Sequence, residues 1–218
     1  MTVRVSAHRR RRVKARVRRF VRPDIAAFHT VTADAPLGHL RSRSELKRMC
    51  IGKGSTLFGI DKFLGDDKYV FLSVREPVMG GKRECFVFNA EELIRDGALL
   101  RTQDILVTPE ATRLARKLMN EYDYDSISKI SEEVIQAIYD ERGNDEIRGL
   151  LDALERKKEE ITLRGSAAIR ALRLGQNDFK GHQMEILVPN RLPLAKSLLV
   201  GDLSEMRKLT THPPKPNL

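Results

Sequence analysis

The apolar positions of this chain follow two regimes. Up to about residue 107 they come in short runs: Ile25–Val31 (IAAFHTV), Tyr69–Val74 (YVFLSV) and Glu84–Asn89 (ECFVFN), each bounded by Gly, Pro or charged residues, as strands are. Gly80-Gly81 inside Pro77–Arg83 predicts a turn, so 69–89 reads as a hairpin. Ala33–Cys50, with Leu37, Leu40, Leu46 and Met49 among basic residues, predicts a helix somewhere within it. The glycine-rich stretch Gly52–Asp67 reads as loop, Ala90–Ile94 as one helical turn, and Thr102–Val107 as a short strand.

From Thr108 the period becomes helical. Thr108-Pro109-Glu110 has an N-capping hydroxyl and a proline at the first helical position, and predicts a helix running to about Tyr122. Ser126–Arg142 and Asp145–Arg164 read as two further helices, with the charged run Glu155–Glu160 as a solvated face. A last strand, Met184–Pro189 (MEILVP), follows the polar segment Leu174–Gln183. Strands at both ends of the sequence must then meet in one sheet. The fold class is α+β, with a helical block at about 108–164 inserted into a body at 23–209.

Composition changes the picture at the N-terminus. The 218 residues carry a net charge of +10, yet residues 1–22 hold ten basic residues and no acid, among them Arg9, Arg10, Arg11 and Arg12. The remaining body is therefore neutral. Such an arm neutralises phosphates and releases counterions, which points to nucleic acid. A solvated tail and a mitochondrial-type presequence are the alternatives. The Pro-rich end, 210–218, reads as disordered. No apolar run reaches the roughly 20 residues of a membrane span, and no apolar segment of signal-peptide type follows the arm, so no membrane role and a cytoplasmic location are expected.

Common catalytic signatures are missing. Gly52-Lys53-Gly54-Ser55-Thr56 lacks phosphate-loop spacing, and neither the five histidines nor Cys50 and Cys85 form a metal-ligand pattern. What stands out is polar residues in apolar strands. His29 lies between Phe28 and Thr30, and Glu185 heads Ile186-Leu187-Val188. A carboxylate there is exposed, paired or lining a site, because burying it unpaired costs several kcal/mol. Taken singly, each also fits a structural role: His29 as a satisfied core histidine, Tyr69 and Phe71 as ordinary strand aromatics.

Together, Phe28-His29-Thr30, Tyr69–Ser73 and Gln183-Met184-Glu185 resemble the NAD-dependent mono-ADP-ribosyltransferase superfamily. Within it, Tyr69–Met79 and Gln183–Val188 followed by Pro193-Leu194 are similar to the DarT type of bacterial toxin, which ADP-ribosylates DNA bases. Phe71 stands where that group has proline. The resemblance implies a split mixed or antiparallel sheet and NAD as co-substrate. It implies Glu185 and Gln183 as catalytic residues, with a catalytic arginine among Arg41, Arg43 and Arg48. Arg48 is taken for that role, and Arg41 and Arg43 for the pyrophosphate. His29, Thr30, Tyr69, Phe71 and Ser73 would contact the cofactor. Phe179, Lys180, His182 and Arg75 would contact single-stranded DNA or RNA, with the arm adding affinity. A toxin of this type implies a cognate antitoxin, in a toxin–antitoxin or phage-defence setting. The alternatives are a non-catalytic nucleic-acid-binding protein that uses the arm, and an ADP-ribosyltransferase acting on protein.

Overall fold

The structure is a computed structural model that describes residues 25–31, 38–49, 59–74, 84–122, 129–141, 144–175 and 184–202. The basic arm, the turn at 77–83, the segment 176–183 and the Pro-rich tail lie outside the described residues.

The fold is α+β, with every strand pairing among the described residues antiparallel. The strands are β1 (Ala26–Val31), β2 (His39–Arg41), β3 (Tyr69–Ser73), β4 (Glu84–Asn89), β5 (Leu99–Arg101), β6 (Thr162–Leu163), β7 (Glu185–Pro189), β8 (Arg191–Pro193) and β9 (Leu199–Asp202). Seven of them form one sheet in the order β6-β5-β7-β3-β1-β4-β9, while β2 and β8 make a separate ribbon. Strands from both ends of the sequence do meet, β7 beside β3 and β9 beside β4.

The expected 69–89 hairpin does not form: β1 lies between β3 and β4. The run IAAFHTV has no polar face, and such a strand is satisfied in the sheet interior with a neighbour on each edge. β1 pairs with β4 over its whole length, from Ala26↔Asn89 to Val31↔Glu84. It touches β3 through one pair only, Phe28↔Ser73. The sheet is thus split into a half built from β6, β5, β7 and β3 and a half built from β1, β4 and β9.

One face of the sheet carries the first core. Ala27, Leu72, Phe88, Leu100 and Ile186 are fully buried there, beneath α3 (Ala90–Arg95) and α7 (Gly165–Gly175), which contribute Leu93, Ile94, Ala168 and Leu172. The two helices are clamped together: Arg173 donates to both oxygens of Glu91, at 2.6 and 2.8 Å. That bidentate pairing holds the Glu91 carboxyl below its ordinary range. The second core belongs to the helical block, α4 (Pro109–Glu121), α5 (Glu132–Asp140) and α6 (Asp145–Ile161), where Leu114, Leu118, Ile135, Ile138, Leu151 and Leu154 close around Ile60 and Ile105. The Thr108 hydroxyl accepts from Ala111 N at 3.3 Å, so the cap read from sequence is present.

Several boundaries depart from the sequence reading. The helix expected within Ala33–Cys50 is α1 (Arg43–Arg48), preceded by the unexpected β2. Gly52–Asp67 is not all loop: α2 (Gly59–Phe63) and a 3-10 turn at Asp66–Lys68 stand in it. Glycine richness suggests a loop, but Gly59 serves close packing. A Cβ on it would lie 2.3 Å from the Ile130 carbonyl oxygen. Gly59→Ala is therefore expected to lower stability by about 2–3 kcal/mol, read from the denaturant midpoint; an unchanged midpoint would contradict this helix contact. The strand expected at Thr102–Val107 lies earlier, as β5, because Asp104 accepts from Leu106 N at 2.9 Å and turns Ile105–Val107 into a 3-10 turn. Met184–Pro189 is not the last strand, since β8 and β9 follow it. Ser131 caps α5, five residues later than the expected helix start, and α6 ends at Ile161, before β6.

Candidate active site

Glu185 owes its position to register. Reading across the sheet, Arg101 pairs with Glu185, Glu185 with Ser73, and Ser73 with Phe28. Directly paired residues project to one face. This row therefore lies opposite the first core, on the side where Leu99, Leu187 and Phe71 form the next row. The helical block covers that side, and the site sits between the two.

Charge gathers there from three elements, β5, the 3-10 turn at Asp66–Lys68 and α6. Arg101 is 1% exposed and its Nη2 donates to Asp66 Oδ1 at 2.9 Å; Asp66 is 0% exposed. Lys158, from α6, stands 3.0 Å from the same oxygen and also donates to the Leu64 carbonyl. The Arg101 guanidinium lies 5.9 Å from the centroid of the Phe71 ring, within cation–π range. Arg101 Nε and Asp66 Oδ2 are buried with no hydrogen-bond partner among the described residues. A cavity of about 370 Å³ opens beside Arg101, floored by Leu99 and Leu187, edged by Tyr69 and walled by Lys158, Glu155 and Glu159.

The Glu185 carboxyl is pushed up to about 7. Burial is the main cause, followed by the negative charge of Asp104; Arg101 pulls the other way, and Asp66 and Asp61 add to the rise. Glu185 therefore exchanges its proton near neutral pH, which suits a group that must meet a developing charge or take a proton.

His29 is one residue out of the Glu185 row, so strand alternation turns its side chain away from Phe28. It spans the split: Nδ1 donates to the Phe71 carbonyl at 2.7 Å. Burial lowers its proton affinity, with that hydrogen bond as a smaller opposing effect. The ring is thus neutral at neutral pH, protonated on Nδ1 and carrying an acceptor lone pair on Nε2.

The remaining candidates divide clearly. Tyr69 lines the cavity, Phe71 lies under Arg101, and Ser73 is opposite Glu185. Thr30 occupies the β1 position paired with Cys85. Arg41 is held by Glu45 at 3.0 Å, and Arg48 is exposed, 3.8 Å from the same side chain. Arg43 is half-buried at the start of α1. Among the described residues, the cation whose charge acts on Glu185 is Arg101, its cross-strand partner. Sequence reasoning passed over it together with Asp66 and Lys158. Its one signal was an arginine closing the apolar run Ala98-Leu99-Leu100. Gln183, Phe179, Lys180, His182, Arg75, Arg9, Arg10, Arg11 and Arg12 lie outside the described residues.

Among the described residues no three His, Cys, Asp or Glu side chains gather as a metal set, and no helix is long and apolar enough to cross a membrane. No protein-family model, curated protein or solved structure matches the chain.

Proposed function

We propose that the chain is a mono-ADP-ribosyltransferase that moves ADP-ribose from NAD to a base in single-stranded nucleic acid. The observation that carries this reading is the half-buried Glu185, poised near neutral pH in line with Ser73 and Phe28 across a split antiparallel sheet. NAD supplies a nicotinamide–ribose bond whose cleavage develops positive charge on the ribose, as glycoside cleavage does. Ionised Glu185 stabilises that charge from a site of low dielectric, where a fixed carboxylate counts for more than in water. It then takes the proton released by the attacking base nitrogen. His29, on the other face of the sheet, braces the split by donating to the Phe71 carbonyl. Tyr69 and Phe71 offer ring faces for stacking. The basic arm, with ten cations and no acid, holds the nucleic acid without sequence choice. An unpaired base is the accessible acceptor, because a stacked one must first be extruded.

The test is label transfer from NAD to a single-stranded DNA oligonucleotide, an RNA oligonucleotide and a cell extract. This reading expects nuclease-sensitive, protease-resistant label. Label removed by protease alone would redirect the enzyme to protein. Absence of label and of nicotinamide release, with oligonucleotide binding lost on deleting 1–22, would leave a binding protein.

A further inference from the structure

Arg101 and Asp66 form an ion pair, 2.9 Å apart, as buried as any apolar residue of the core. Lys158 of α6, 20% exposed, stands 3.0 Å from the same Asp66 oxygen and braces it. The strand register puts Glu185 directly across from Arg101, on the same face of the sheet.

The cluster is also not a closed structural knot. Both cations use Oδ1 of Asp66, so Oδ2 and Arg101 Nε stay without partners among the described residues. The other charged groups that face Glu185 are acids from three further elements: Asp104 before the Ile105–Val107 turn, Asp66 in its 3-10 turn, and Asp61 in α2. All three favour the protonated carboxyl. Arg101 is the cation that opposes them.

We infer that Arg101 is a positioning residue for Glu185: anchored by Asp66 and by Lys158 of α6, it sets a fixed positive charge directly across the strand pair from the carboxylate, which makes the inserted helical block a working part of the site. Its importance for turnover rests on the transferase reading above; its effect on the Glu185 carboxylate does not.

The experiment uses the full chain carrying Arg101→Gln, with Arg101→Lys as the charge-retaining variant. Arg101→Gln leaves Asp66 paired with Lys158, so no buried acid is orphaned. Lys158→Met, at a side chain 20% exposed, is the second variant if Arg101→Gln does not fold. Glu185 is titrated by carbon-13 carboxyl NMR, assigned with Glu185→Gln, and nicotinamide release is followed against pH. Arg101→Gln is expected to raise the Glu185 titration by about one pH unit and to cut release about tenfold near pH 6, with little loss near pH 9. Arg101→Lys should recover most of this, and Lys158→Met should shift the titration in the same direction. An unmoved Glu185 titration, or release falling by one factor at every pH, would overturn the inference and leave Arg101 a structural ion. A shifted titration in a protein that never releases nicotinamide would sustain the Arg101 assignment and remove the transferase reading.

Discussion

In the Glu185→Gln protein, nicotinamide release is expected to fall about hundred- to thousand-fold while the folded state above neutral pH becomes more stable. The loss follows from removing the carboxylate placed to meet positive charge on the ribose, an effect of the size seen when one preorganised electrostatic group is deleted. The gain follows from linkage. The Glu185 carboxyl rises from 4.5 to about 7 on folding, so the native protein prefers it neutral. The stability tied to this preference is full below about 4.5, declines as pH rises, and is gone above about 7. Glutamine does not ionise. Relative to wild type, the variant should gain nothing near pH 4 and up to about 3 kcal/mol near pH 8. Denaturant unfolding at the two pH values, beside kinetics, checks both halves. A variant that is less active but equally destabilised at each pH would mean that Glu185 is an ordinary packing residue.

Asp66→Ala is the substitution with the largest expected structural effect. It would leave Arg101 and Lys158 facing each other without the carboxylate they share. Breaking a buried pair in this way costs about 3–5 kcal/mol, because one partner's charge is stranded. Exchanging Asp66 and Arg101 together for Leu and Met removes both charges at once and should restore a large part of that loss. The comparison is made by urea midpoint at constant pH. A cost below about 1 kcal/mol for Asp66→Ala would show that the cluster is solvated and not buried.

The sequence pattern made the strands legible where hydrophobicity was dense. Tyr69–Ser73, Glu84–Asn89 and Glu185–Pro189 lie where the apolar runs place them, and Thr108 caps its helix because hydroxyl and proline signals are local. What stayed hidden was long-range. Nothing in 69–89 reveals that β1 enters between β3 and β4, because that choice depends on a strand some forty residues earlier needing two neighbours. The three-residue strand Leu99–Arg101 is too short for a periodicity, and the two-residue β6 shorter still. The site divides the same way. Glu185 and His29 were readable as polar residues inside apolar strands. Arg101 and Asp66 lie 35 positions apart in the chain, and Lys158 is further still, so only the packing of the helical block on the sheet brings their charges together.

The most direct measurement is nicotinamide release from NAD in the presence of single-stranded DNA, for wild type and Glu185→Gln, between about pH 5.5 and 8.5. The wild-type kcat/KM is expected to climb about tenfold per pH unit below about 7 and to level off above it, following the ionisation of Glu185. The variant is expected to give a flat, near-background line. Equal release by both proteins, or none from wild type at any pH, would contradict this role of Glu185.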